Sequence, residues 1–299
     1  MTTLWVLLHV AAQRDYQLHS LEFSTNFLQG SLHEEIWLRC PPGFTGSFLA
    51  GTQWSLRRPV YGLRQVPRET TLATLGFAPS TTDPSLFLRT DTTMPPSNVL
   101  VYVDDLVFAT ADTKGLALVK LELQKRHTCT DLGELRSYLG LQITRDRARH
   151  TITLTQSHMV HQVLQCFGFC TSGMGLVLGG RGLVVLTGYT DASSVDDLAT
   201  QQSSQGYTFS LGSGSVSWRS TRSTSVLSSS YETEIYARAM AAQELYWLSY
   251  LLTDLGERPR SSPVLYVDNK VMIALCQEHR LEQRTKHIAL RYYLARELQ

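Results

Sequence analysis

Two acids, Asp104 and Asp105, sit between the apolar stretches Val99 to Val103 and Leu106 to Ala109. This pattern limits what the chain can fold into. Short β-rich runs on either side of a charged pair read as a β-hairpin with the acids at its tip. Adjacent carboxylates repel, and each raises the other's pKa unless a cation lies between them. A chain that buries both strands and leaves two acids at the turn is therefore read as the holder of a divalent metal. Tyr102-Val-Asp-Asp105 alone is only four residues, and an ordinary Asp-Asp turn would present the same letters. The flanking strands and the neighbours below favour the metal.

At 299 residues the chain is long enough for two domains, and 43% hydrophobic residues supply a core for each. A net charge of +1 gives no global basic signature, so a nucleic-acid partner would need local patches. Cys40, Cys129, Cys166, Cys170 and Cys276 are odd in number and contain no CxxC pair. That usage predicts reduced thiols in an intracellular setting, with neither a disulfide framework nor a zinc site. The apolar start, Met1 to Val10, lacks a basic n-region and reads as a buried helix. No apolar run is long enough to predict a membrane span.

The pattern divides near residue 170. Before it, a strand is expected from Leu18 that passes into a helix by Phe27. Further strands are expected at Glu35–Arg39, Tyr138–Thr144 and Thr151–Thr155, with helices over Gly115–Lys125 and from Ser157 to Phe167. A Gly-rich junction spans 171–182. Beyond it, strands are expected at Leu183–Asp191, Gly206–Leu211 and Ser215–Arg219. A long helix from Ser230 to Leu255, a strand at Val264–Asp268 and a helix over Lys270–Glu278 complete a mixed α/β layout. The basic residues Lys125, Arg126, Arg145, Arg147 and Arg149 would suit either a solvated face or a nucleic-acid backbone.

Several ordered motifs resemble one family. Glu22-Phe-Ser-Thr-Asn-Phe-Leu-Gln-Gly30, Leu32-His-Glu-Glu-Ile36 and Pro42-Gly-Phe44 resemble the first polymerase motif of copia-type LTR retrotransposon reverse transcriptases. Tyr61-Gly-Leu-Arg-Gln-Val-Pro-Arg68 resembles their fingers–palm motif. Asp83-Pro-Ser-Leu-Phe87, the Asp104-Asp105 pair, Asp131-Leu-Gly-Glu134 and Tyr138-Leu-Gly140 follow in the family's order. Gly188-Tyr-Thr-Asp-Ala192, Ser204-Gln-Gly-Tyr207, Ser217-Trp218, Leu227-Ser-Ser-Ser230, Glu232-Thr-Glu234, Asp268-Asn269 and Arg284-Thr-Lys-His287 resemble its ribonuclease H domain.

The resemblance implies an α+β fold: a truncated reverse-transcriptase palm and fingers over 1–170, then a ribonuclease H-like mixed α/β domain over 183–299. It implies RNA-directed DNA polymerase and ribonuclease H chemistry, with RNA template, DNA primer, RNA–DNA hybrid and dNTP as partners. Two-metal phosphoryl chemistry uses Mg²⁺ ions ~4 Å apart, and hard cations take carboxylate oxygens. The first implied set is Glu22, Asp104 and Asp105, and the second is Asp191, Glu234 and Asp268. Glu232 competes with Glu234 for the helix position. Arg64, Gln65 and Arg68 are implied to face template or nucleotide, which the planar donor fork of Arg suits; as plain sequence they also read as a solvated basic loop.

The departures from the family are informative too. Glu22 stands where the family has Asp, and the added methylene displaces the carboxylate. The helix after Arg68 is shortened. Cys170 passes almost directly into the Gly-rich junction, where the family has the palm end, thumb and connection. Gln299 is reached before the family's last ribonuclease H acid. The expectation is a degenerate piece of a Pol polyprotein with little activity and weakened Mg²⁺ sites. The alternatives are a working enzyme completed by another chain, and a non-catalytic nucleic-acid-binding or interaction protein built from the same element.

Overall fold

In the computed structural model, residues 1–23, 35–40, 53–57, 68–89, 91, 97–157, 175–182, 184–193, 203–212, 214–223, 230–257 and 262–267 are described. The apolar start forms helix α1 (Thr2–Gln13) and leads into strand β1 (Gln17–Phe23). Then come β2 (Trp37–Arg39), β3 (Gln53–Ser55), α2 (Arg68–Thr74), β4 (Phe77–Pro79) and β5 (Leu86–Arg89). They are followed by β6 (Ser97–Tyr102), β7 (Asp105–Thr110), α3 (Thr113–Arg126) and β8 (Cys129–Glu134). The remainder is β9 (Ser137–Tyr138), β10 (Leu141–Asp146), β11 (Thr151–Thr155), β12 (Leu176–Gly179), β13 (Leu186–Ser193), β14 (Ser204–Leu211), β15 (Gly214–Arg222), α4 (Ser230–Asp254) and β16 (Val264–Val267).

Internal packing divides the chain into two units. One comprises Gln17–Pro79 and Pro84–Leu135; the other comprises Met1–Tyr16, Ser80–Asp83 and Arg136–Gln299. The expected division near residue 170 does not coincide with this one. Part of the expected 171–182 junction, Leu176–Gly179, is a strand that extends the β9–β11 sheet.

The first unit is built on an antiparallel sheet in the order β4-β5-β6-β7-β1-β8. Helices α2 and α3 supply Leu72, Leu116, Val119 and Leu123 to a core shared with Leu21, Phe23, Leu106 and Phe108 of the strands. The start of α3 is set by Asp112, whose Oδ1 accepts from the Gly115 N–H at 2.8 Å. A Cβ at position 115 would lie 1.9 Å from Oδ2 of that carboxylate, so a larger residue there would make the Asp112 side chain turn.

In the second unit α1 is apolar on every side and accordingly buried, from Thr3 to Ala12. It packs against β11, β12 and β15. One sheet runs β12-β11-β10-β9, the other β15-β14-β13-β16, with α4 laid across β13 and β14. The expected strand Tyr138–Thr144 is split by a tight turn. Leu139 and Gly140 have φ of 49° and 79°, and this pair of left-handed residues folds β9 back onto β10.

Arg145 and Arg147, whose sequence suits either a solvated face or a nucleic-acid backbone, both pair with Asp15 (2.9 and 2.6 Å). Arg145 also donates to the main-chain oxygens of Ala11, in the last turn of α1, and of Tyr16, just beyond it. Arg126 and Lys125 pair with Glu122, and Arg149 with Asp146. The expected helices over Ser157–Phe167 and Lys270–Glu278 lie outside the described residues beyond Ser157.

Candidate functional site

Strands β6 and β7 form the predicted hairpin. Tyr102 pairs with Asp105, leaving Val103 and Asp104 as a two-residue turn. Val103 sits at φ 53°, the left-handed region that a β-branched side chain adopts at a cost of about 1–2 kcal/mol. That cost is carried at the tip bearing the acids, which is where local strain collects when it serves a site.

The third expected acid arrives from β1. It runs antiparallel to β7, and Glu22 is the register partner of Asp105. The ladder reaches the turn itself, where the Phe23 N–H donates to the Asp104 carbonyl at 2.8 Å. Directly opposed residues of an antiparallel pair share a face, with Cβ atoms ~4.5–5.5 Å apart. Glu22 is exposed and Asp105 half-buried, so two carboxylates stand side by side at the sheet's end with Asp104 on the adjoining turn. Like charges placed opposite each other destabilise a sheet unless a cation joins them.

The donor set, carboxylate oxygens on neighbouring strands, has the chemistry of a Mg²⁺ site. Among the described residues, no group of three His, Cys, Asp or Glu side chains is gathered closely enough to grip an ion. The backbone juxtaposition fits a metal centre, and closing it requires the side chains to converge.

Neighbours fix the end of β1. Phe23 meets the His127 ring edge-on at 5.5 Å, and Nε2 of His127 lies 2.9 Å from the Thr71 hydroxyl. Burial, and secondarily the Arg126 charge, lowers the His127 pKa. Sequence reasoning missed Lys120, which is buried beside His19 and Asp131. The available signal was a lysine in the apolar stripe Leu116, Val119, Leu123 of α3. Arg64 and Gln65 lie outside the described residues, and of Arg68 only the backbone at the start of α2 is described.

The second acidic set is partly described. Asp191 is exposed near the end of β13, and its Oδ1 accepts from the Ala192 N–H at 2.8 Å. Strand β16 lies parallel to β13, with Val267 opposite Thr190; Asp268 lies outside the described residues. Glu234 is half-buried in the first turns of α4, next to Thr233, whose hydroxyl is 3.4 Å from Ser203 Oγ. A cavity of about 600 Å³ is lined by Asp191, Thr190, Tyr189, Tyr207, Arg219 and Tyr266, among others. Tyr189 and Tyr266 stack at 5.1 Å. No helix among the described residues is long and apolar enough to cross a membrane.

Residues 1–176 match the family described as reverse transcriptase (RNA-dependent DNA polymerase). The chain is 26% identical to a retrovirus-related Pol polyprotein from transposon TNT 1-94 of Nicotiana tabacum, over 388 positions that cover 100% of this chain and 29% of the relative. It is 27% identical to the corresponding polyprotein from transposon RE2 of Arabidopsis thaliana, over 376 positions that cover 99% of this chain and 26% of the relative. It therefore spans under a third of the length of these relatives. Both alignments are longer than the 299 residues of the chain, so each relative carries residues within the matched stretch that have no counterpart here.

Proposed function

The chain belongs to the reverse transcriptase family of copia-type retrotransposon Pol polyproteins, and on that premise we propose that its six-stranded sheet is the polymerase palm. Glu22, Asp104 and Asp105 are the residues that would hold Mg²⁺. When bound, the ions supply activation of a primer hydroxyl and stabilisation of the leaving pyrophosphate. The protein's own part would be to bring these three carboxylates together at one end of the sheet, where strand register already sets Glu22 opposite Asp105. The substrates proposed are RNA template, DNA primer and dNTP, with Arg64, Gln65 and Arg68 toward template or nucleotide. The observation that carries this reading is the pairing of Glu22 with Asp105 beside the Val103-Asp104 turn.

In the same reading residues 183–299 are a ribonuclease H-like domain, with 171–182 the place where thumb and connection are lost. Asp191, Glu234 and Asp268 would hold Mg²⁺ against an RNA–DNA hybrid. Support comes from Asp191 near the end of a central strand, a parallel neighbour whose next residue in sequence is Asp268, and a helix acid packed over the same sheet.

Activity is expected to be weak. The added methylene at Glu22 moves a carboxylate, and catalytic constellations tolerate displacements of only about 0.5 Å. The family's thumb is among the expected losses. Primer extension by the purified chain with RNA template, primer, dNTPs and Mg²⁺ tests the reading. Trace incorporation abolished by Asp104→Asn supports it, because an amide cannot replace a metal-binding charge. Incorporation that survives Asp104→Asn refutes it. Salt-dependent binding of an RNA–DNA hybrid without turnover would favour the non-catalytic nucleic-acid-binding alternative.

A further inference from the structure

Strand β1 carries Glu22 between two neighbours, and only one of its ladders is regular. Along β8, Ser20 pairs with Gly133 but Leu21 pairs with Asp131, so Leu132 is an extra residue in the β8 strand. Leu132 is exposed, and Gly133 adopts φ +74°. A bulge of this kind bends the strand, raises its local twist and re-aims nearby side chains. The next pair along is Glu22 with Thr130, and the other edge of Glu22 faces Asp105. The irregularity thus lies one residue from the acid whose direction matters most.

One cluster holds the bulge. Asp131 Oδ1 accepts from the Gly133 N–H at 2.9 Å and from Lys120 Nζ at 2.5 Å. Lys120 Nζ also lies 3.0 Å from His19 Nδ1, and the residue as a whole is buried. Burial, then the Lys120 charge, lowers the His19 pKa, so at neutral pH the ring is uncharged and accepts from the ammonium. Burial would raise the Asp131 pKa, but the Lys120 and Gly133 hydrogen bonds outweigh it and hold the carboxyl below the usual range. A buried ammonium, even paired, and an unpaired strand residue each carry a cost, and the positive φ at the bulge is one that glycine adopts readily. These features fall where β1 delivers Glu22, and local rules are broken most often at functional sites.

We propose that Lys120 and Asp131 are positioning residues. They clamp the bulge at Leu132 and Gly133, and so set the angle at which Glu22 faces Asp105. The inference rests on reading Glu22, Asp104 and Asp105 as the metal-holding set. A merely structural clamp would tie α3 to the sheet without affecting the acids.

The test uses the full chain in an Asp191→Asn background, so that Mn²⁺ binding followed by electron paramagnetic resonance reports the first acidic set. Gly133→Val perturbs the backbone alone, since a Cβ at Gly133 meets nothing within 4 Å. Lys120→Met removes the charge and keeps the stem. Both are expected to weaken Mn²⁺ binding by about tenfold, in line with the loss of outer-shell partners of metal sites. Both should also speed amide exchange at Phe23, whose N–H donates to Asp104, while exchange at Leu123 in α3 keeps its wild-type rate. Gly133→Asn, which tolerates the left-handed conformation, should retain wild-type binding.

Unchanged Mn²⁺ affinity and Phe23 exchange in both variants, with binding still lost in Glu22→Gln, would overturn the positioning role alone. Mn²⁺ binding that is absent in the background chain, or indifferent to Glu22→Gln, would overturn the metal-set reading and the inference with it. If Lys120→Met does not fold, the contrast between Gly133→Val and Gly133→Asn carries the same test.

Discussion

Lowering the pH from 7 to about 4.5 should destabilise the unit containing α1 through His9. This side chain is 0% exposed, and its Nδ1 accepts from the Gly179 N–H at 3.0 Å. The ring is therefore neutral with its proton on Nε2, which has no hydrogen-bond partner among the described residues. Burial lowers its pKa from 6.5 to about 4. The unfolded chain takes up a proton near pH 6.5, whereas the folded one resists until about pH 4, so stability falls as pH drops through that window. The gap of about 2.5 units corresponds to roughly 3 kcal/mol when complete, and to about 2 kcal/mol at pH 5. Carboxylates whose pKa is held below the usual range, such as Asp254, add their losses only at still lower pH.

Urea unfolding at pH 7, 6, 5 and 4.5 measures this effect. Near-ultraviolet circular dichroism of the stacked pair Trp5–Trp218, 6.5 Å apart in the same unit, serves as the probe. His9→Asn supplies an acceptor for Gly179 without a titrating ring. The wild type should lose about 2 kcal/mol more than the variant between pH 7 and 5. Equal losses in the two proteins would show that His9 is not the group whose protonation destabilises this unit.

Other perturbations have equally definite outcomes. Glu22→Asp removes the extra methylene and should tighten Mn²⁺ binding by about tenfold, read by paramagnetic resonance. Arg14→Met strips the buried Glu257 of its two-point partner at 2.5 and 3.0 Å. Because the arginine is half-exposed, the expected cost is about 2 kcal/mol by urea unfolding, below the range for a wholly buried pair. Asp254→Ala removes the acceptor for Ser80 Oγ (2.5 Å) and the Thr82 N–H (3.2 Å). It should cost about 1–3 kcal/mol and speed amide exchange at Thr82.

The order of residues alone specified the hairpin at Asp104 and Asp105. Two apolar runs interrupted by a charged pair have one economical arrangement, both runs buried in a sheet and the acids at the turn. It also determined that α1 is buried, since a helix apolar on every side has no face to offer water. The kinship of the chain was legible because motifs such as Glu22–Gly30 and Tyr102–Asp105 stand in a fixed order, which local chemistry alone does not require.

Tertiary structure decided what depends on residues far apart in the chain. The partner of Asp105 is set by strand register, and no local pattern around Glu22 reveals that it stands opposite. The bulge at Leu132 arises from the mismatch between the two ladders of β1, and Lys120 becomes a clamp only because α3 brings it over Asp131. Arg145 reads as a solvated base or a backbone contact, yet in the fold it donates to Ala11 in the last turn of α1, more than 130 residues earlier. Leu176–Gly179 read as part of a Gly-rich linker and became a strand because β11 offered an open edge. Side-chain periodicity records which face a residue shows to the core; which other element meets that face is decided when the whole chain packs.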